Sequence, residues 1–317
     1  MSRAAVLVGG PDPFLDAEWL RNYATWEAEV DRLYVIICGQ QDRALRAYIQ
    51  AKVDALGGTL VEFAPALDHG VAIKRALSAV TEDVVMLCEE DAFVRDPGKV
   101  RESFERIERN EVDVVACPRG TGTPDVIALG NNRFGELVAS TGECGPIFWP
   151  CFLFARRTDL ERIDNYSVWG AKAGESFLGH GFSEDQAMDT FGYASLMLRE
   201  NGARVHTEPN YRADLAKMDD WGLSPWFHVG SMSTGYGMYI CGPGAHKAGL
   251  WQHLRGSDLN DWCKRVAFWE ILGERAEDLD GRRAEYAESV AELAREVGMD
   301  RGAINDWKAK FQRLINW

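Results

Sequence analysis

The chain reads as an α/β protein with a mostly parallel sheet covered by helices on both faces. Over the first 117 of its 317 residues, apolar runs of five or six residues alternate with amphipathic stretches of ten to sixteen. That alternation is the signature of strand–helix–strand units, whose crossovers make neighbouring strands parallel. The runs are almost continuously apolar, as strands buried on both faces are. Hydrophobic residues make up 46% and charged residues 26%, the balance of a globular protein rather than a disordered or membrane-embedded one.

In chain order, Ala4 to Val8 is the first predicted strand, ending at Gly9-Gly10. Residues 15–31 form a predicted helix with Leu15, Trp19, Tyr23, Trp26 and Val30 along one face. Leu33 to Cys38 is the second strand and runs into Gly39-Gln40; a helix over 42–56 is closed by Gly57-Gly58. Thr59 to Phe63 is the third strand. His69-Gly70 opens a helix carrying Val71, Ile73, Ala76, Leu77 and Val80. Val84 to Cys88 is the fourth strand, 98–110 a charged helix, and Val112 to Cys117 the fifth strand. Residues 118–145, rich in Gly, Thr and Asn, read as a long loop. Ile147 to Ala155 is an aromatic strand, 184–201 a helix and Arg204 to Thr207 a strand. From about 257 the pattern is helical and charged, with Tyr286, Val290, Leu293 and Val297 on one stripe.

Composition narrows the function. The net charge of −14, from 35 basic and 49 acidic side chains, repels phosphodiester backbones on average, which disfavours nucleic acid as a partner without excluding a local basic groove. The seven cysteines are scattered and never form CxxC, which argues for a reducing compartment and against a disulfide or zinc framework. The chain has no run of about 18 apolar residues, and the expected location is the cytoplasm.

Ligands of such sheets bind beyond the carboxyl ends of the strands, so the residues that follow each strand matter most. The strongest signal is VVMLCEEDAFV, where a buried strand runs straight into Glu89, Glu90 and Asp91. Like charges this close repel, and a divalent cation relieves the repulsion; hard oxygens suit Mg²⁺ or Mn²⁺, which also bind phosphate oxygens. A solvated acidic turn is the alternative. Glu184-Asp185 stands at a predicted helix start, as a capping pair or as a general base for an acceptor hydroxyl. His228 lies in WFHVGSMSTGYG, either packed in the core or serving as a late metal or phosphate ligand. Lys74 and Arg75 either reach a phosphate or sit on a solvated helix face. Asp68 either contacts a nucleoside or caps its helix. Gly9 and Gly10 offer bare backbone on which a base can lie, and Trp149 and Trp226 either stack on sugars or pack.

These elements, in this order, resemble the GT-A glycosyltransferases, especially family 2-like members, over roughly residues 4–235. The resemblance implies a Rossmann-like mixed, mostly parallel sheet flanked by helices, with a helical C-terminal extension. It implies a metal site at Asp91 and Glu89 with His228 completing it, and Mn²⁺ or Mg²⁺ as cofactor. Asp185 would be the catalytic base, with Glu184 beside it. Gly9, Gly10, Gln40, Asp68, Lys74, Glu89 and Glu90 would line the site of a nucleoside-diphosphate sugar, a UDP-sugar by expectation. The first acidic position is Glu89 rather than Asp, and Gly39-Gln40-Gln41-Asp42 lacks the usual acidic pair for reading uracil. The implied reaction is sugar transfer to a hydroxyl acceptor, inverting by expectation; the acceptor is a glycan, a protein, a small molecule or, at lower rank, a hydroxylated DNA base.

The implied division is a catalytic domain over 1–250, with a donor half to about 117 and an acceptor half over 118–250, and a helical extension over 251–317. Trp262, Trp269, Trp307 and Trp317 in that extension suit packing against the catalytic domain or another subunit, which leaves room for a homo-oligomer. Two competing classes are a nucleotidyltransferase of similar fold, for which GGPDPF lacks the usual basic residues, and a non-catalytic sugar- or nucleotide-binding protein.

Overall fold

The structure, a computed structural model, describes residues 1–9, 13–39, 43–64, 67–118, 148–167, 169–177, 180–181, 186–188, 190–208, 225–228, 258–274, 282–296 and 298–315. The sheet is built outward from β1 (Arg3–Val8), which pairs in parallel with β2 (Arg32–Cys38) on one side and β4 (Val84–Glu89) on the other. β3 (Thr59–Phe63) extends it in parallel beyond β2. Beyond β4 lies β7 (Phe148–Arg156), antiparallel to both β4 and β6 (Val114–Pro118), and β12 (Val205–Thr207) pairs in parallel with β6. The seven-stranded order is thus β12-β6-β7-β4-β1-β2-β3. This is the mixed, mostly parallel sheet flanked by helices that the sequence implied.

Both faces are dry, which explains the unbroken apolar runs. Ala4, Val6, Val8, Ile36, Leu87 and Leu153 belong to a core shared with Ala72, Ile73, Ala76 and Leu77 of α3 (His69–Leu77) and Ala194 and Leu198 of α6 (Gly192–Glu200). The alternate residues Ala5 and Leu7 are equally buried. Away from that core, Phe104 of α4 (Pro97–Glu108) meets Phe154 edge-on at 5.0 Å, and Trp19, Tyr23 and Trp26 cluster at the end of α1 (Pro13–Tyr23). α2 (Arg43–Ala55) buries Leu45, Tyr48, Ile49 and Val53.

Two expected elements differ. The helix expected over 15–31 ends at Tyr23 and gives way to a 3-10 turn at Glu27–Glu29, so Trp26 joins the aromatic cluster from a turn. The helix expected over 184–201 begins only at Gly192, because Phe191 adopts a left-handed conformation (φ 67°), and three residues upstream pair as a strand. That strand, β11 (Gln186–Met188), runs antiparallel to β8 (Trp169–Ala171), and β9 (Ser176–Phe177) pairs with β10 (His180–Gly181). Capping of this helix by Glu184-Asp185 is thereby removed; both residues lie outside the described set.

The chain divides into two compact units, one of Met1–Gly10 with Asp16–Gly230 and one of Pro11–Leu15 with Ser231–Trp317. The second contains α7 (Asp258–Glu274), α8 (Arg282–Glu296) and α9 (Arg301–Ile315). There Trp262, Trp269 and Trp307 are buried, Trp307 stacks on Phe311 at 5.2 Å, and the fully buried Arg283 guanidinium lies 5.3 Å from the Phe14 ring. On the expected stripe Val290 is buried; Val297 and the side chains of Tyr286 and Leu293 are outside the described set, as is Trp317. Among the described residues no helix is long and apolar enough to cross a membrane.

Candidate metal centre

Three side chains converge at the carboxyl end of β4. The strand delivers Glu89, the tight turn after it delivers Asp91, and β5 (Ala92–Val94) leads the chain away. β13 (Trp226–His228) pairs antiparallel with β5 and places His228 opposite Ala92. One ligand atom from each of Glu89, Asp91 and His228 lies within 4.8 Å of the others. His228 Nε2 is 3.2 Å from Asp91 Oδ1 and 3.4 Å from Glu89 Oε2. His228 and Asp91 are buried, while Glu89 is partly open to solvent.

Burial pulls the His228 pKa down, but the Asp91 carboxylate, the nearby Cys151 and hydrogen bonds to Asp91 and Glu89 outweigh it and hold the imidazole well above its ordinary value. A proton on His228 thus neutralises part of the paired carboxylates' charge. A cation at the same place would take over that role, with the imidazole giving up its proton to become a ligand. Two carboxylates and one imidazole fit Mn²⁺ well: the oxygens are hard, the nitrogen is borderline, and three protein ligands leave positions for phosphate oxygens and water.

Around the cluster, His69 brings Nδ1 to 3.9 Å from Glu89 Oε1. In the sequence His69 marks only a helix start, and its place directly after the cap Asp68 is the signal that it faces this edge. Asp68 caps α3, accepting from the Gly70 and Val71 amides at 3.0 and 3.3 Å, and also accepts from the Ser167 hydroxyl. Gly70 is packed so tightly that a Cβ there would sit 2.2 Å from Ser167 N. Lys74 donates to the Asp164 carbonyl at 2.5 Å. α3 is therefore fastened to residues 164–167 at its cap and again at Lys74.

Gly9 also lies at this edge of the sheet. Its amide donates to Ile36 O at 2.9 Å, and a Cβ would meet Asp16 Oδ1 at 2.4 Å. The buried carboxylates of Glu90 and Asp16 are both close enough to Cys38 to add to the effect of burial, which pushes its thiol up to about 11. Glu90 is not among the three clustered ligands, and Asp16 was not anticipated. Trp226 is 1% exposed and stacks on Phe152 at 4.7 Å, so it packs rather than receives a sugar. Gly10, Gln40, Glu184 and Asp185 lie outside the described residues, as does the side chain of Trp149.

No protein-family model matches the chain, and no curated protein matches its sequence. Among solved structures, it is similar to a mannosyltransferase from Pyrobaculum calidifontis in complex with GDP-Man and Mn²⁺, at 16% identity and a TM-score of 0.45 over 99% of this chain and 81% of that one. It is also similar to glucosyl-3-phosphoglycerate synthase from Mycobacterium tuberculosis in complex with Mn²⁺ and UDP-glucose, at 19% identity and a TM-score of 0.39 over 52% of this chain. The match spans 59% of the synthase's length. Both are glycosyltransferases, the class the sequence motifs resemble.

Proposed function

We propose that the protein is a metal-dependent glycosyltransferase of GT-A type that transfers a sugar from a nucleoside-diphosphate sugar to a hydroxyl acceptor. The convergence of Glu89, Asp91 and His228 at the carboxyl end of β4 carries this reading. It joins an acidic, cation-ready cluster to the sheet edge where α/β proteins bind nucleotides. Bound there, the cation would neutralise the charge that develops on the departing diphosphate. The imidazole favours Mn²⁺ over Mg²⁺, which rarely takes nitrogen ligands.

The chain's own residues supply the rest. Gly9, buried at the end of β1, leaves room there for the Asp16 carboxylate. His69 brings an imidazole beside Glu89, on the side proposed for the diphosphate. Asp185 is the proposed base that takes the acceptor proton, with Glu184 beside it, giving inversion in a single displacement. UDP is the proposed nucleotide.

The test is a panel of nucleotide sugars, including UDP-glucose and GDP-mannose, assayed with Mn²⁺ by nucleoside-diphosphate release. Turnover with one donor, abolished by EDTA and restored by Mn²⁺, is expected. Full activity in excess chelator would overturn the metal role. Pyrophosphate released from a nucleoside triphosphate would instead make the protein a nucleotidyltransferase. Asp185→Asn should keep donor affinity and lose transfer; loss of donor affinity would reassign Asp185 to structure.

A further inference from the structure

We infer that Asn22, on α1, is a positioning residue for the metal centre, holding β5 so that Asp91 and His228 meet. The inference rests on the metal reading above and deepens it. β5 is three residues long and almost fully buried. One of its edges is taken by β13, with Val94 opposite Trp226, Phe93 opposite Phe227 and Ala92 opposite His228. At its other edge the Val94 amide donates to Asn22 Oδ1 at 2.8 Å, and Asn22 Nδ2 donates to the Val94 carbonyl at 2.7 Å.

A carboxamide carries a donor and an acceptor side by side, as a peptide group does. Asn22 therefore acts as a one-residue substitute for a neighbouring strand, reaching across 72 positions of sequence. Its orientation is itself fixed, because Trp26 Nε1 donates to the same Oδ1 at 3.3 Å and Trp26 is wedged against Trp19 and Tyr23. Asn22 is 1% exposed, so no water can replace it without opening the core.

The consequence reaches the ligands directly. Asp91 lies three residues before Val94, and His228 is positioned by pairing with the same short strand. If β5 slid or tilted, both would move against Glu89, which is fixed separately by β4. Partners that orient metal ligands, when removed, cost about 10- to 100-fold in metal affinity, and a loss of that size is expected here for Mn²⁺.

The experiment measures Mn²⁺ binding by titration calorimetry, well below the melting temperature, in the parent protein and in Asn22→Leu, Asn22→Asp and Phe104→Leu. Asn22→Leu removes both bonds to Val94. Asn22→Asp keeps the acceptor for the Val94 and Trp26 donors but faces the Val94 carbonyl with a second acceptor. Phe104→Leu thins the core elsewhere and serves as a control for general destabilisation. The expected result is a weakened Mn²⁺ affinity in both Asn22 variants, larger for Leu, with Phe104→Leu lowering the melting temperature but keeping the parent's affinity. If Asn22→Leu does not melt cooperatively, Asn22→Asp alone decides. Asn22 variants that bind Mn²⁺ like the parent would overturn the role of Asn22 while leaving the metal centre intact. A parent protein that takes up no Mn²⁺ would overturn the metal centre itself.

Discussion

The two ends of the central strands treat charge in opposite ways. At the amino end, Glu108, Asp113 and Asp83 each meet a permanent cation or a backbone donor. Arg3 grips Glu108 with two hydrogen bonds of 2.7 and 2.8 Å. Asp113 receives Arg156 at 2.9 Å and Arg204 at 2.9 and 3.0 Å, and Asp83 accepts from the Ser2 amide and hydroxyl. At the carboxyl end of β4, Glu89 and Asp91 both face the His228 imidazole, with His69 on the other side of Glu89. Arginine cannot give up its proton, whereas histidine can and then becomes a ligand. One end is thus built to stay as it is, and the other to exchange a proton for something else.

The sharpest way to break this contrast is at the ligand end. Asp91→Ala should leave the sheet intact and lower donor turnover by about a thousandfold, the several kcal/mol that a catalytic cation supplies; near-parent rates of diphosphate release would erase the distinction between the two ends. Next in size, Gly70→Ala should destabilise the protein by about 1–3 kcal/mol through overpacking against Ser167, read as a lowered denaturation midpoint, because the contact is with backbone that cannot swing away. Arg3→Met should cost about 1 kcal/mol in chemical denaturation and leave Mn²⁺ affinity untouched; a change in metal binding would mean that the ends are coupled.

The smallest effect concerns acid. Hydrogen bonds from Arg204, aided by Arg156, hold the Asp113 carboxyl well below the usual carboxylate range. Because the folded value lies below the unfolded one near about 3.9, Asp113 contributes stability that is fully present above that pH and lost as pH falls through the folded value. Arg204→Ala should flatten the acid limb of the stability curve, measured by melting temperature between about pH 5 and 2. An unchanged limb would show that Arg156 alone suffices.

Much of this architecture was legible from the chain. Strands buried on both faces leave uninterrupted apolar runs, so β1, β2, β3 and β4 were placed to within a residue at most boundaries. Glu89 and Asp91 stood out because carboxylates rarely follow such a run without a reason. What escaped depends on partners far away in sequence. β11 was taken for the start of a helix because its pairing with β8 leaves no local trace, and the left-handed Phe191 that delays α6 is a conformation no pattern announces. Nothing in the local pattern around Asn22 points to its pairing with Val94, 72 positions away. His228 is singled out in the sequence through order and resemblance; its pairing opposite Ala92 is what places it beside Glu89 and Asp91.

The reversed strand β7 has a consequence for how the chain must be made. Leu153 pairs with Leu87 on one side and with Ala116 on the other, so β7 is the splice between β4 and β6. A nascent chain leaving the ribosome can assemble β1 to β4 as soon as they emerge, but β4 keeps a bare edge, open to wrong pairing, until residue 156 has been translated. Any fragment meant for expression in isolation therefore has to run past Arg156, and a stop placed between Glu89 and Arg156 should yield inclusion bodies rather than half a protein.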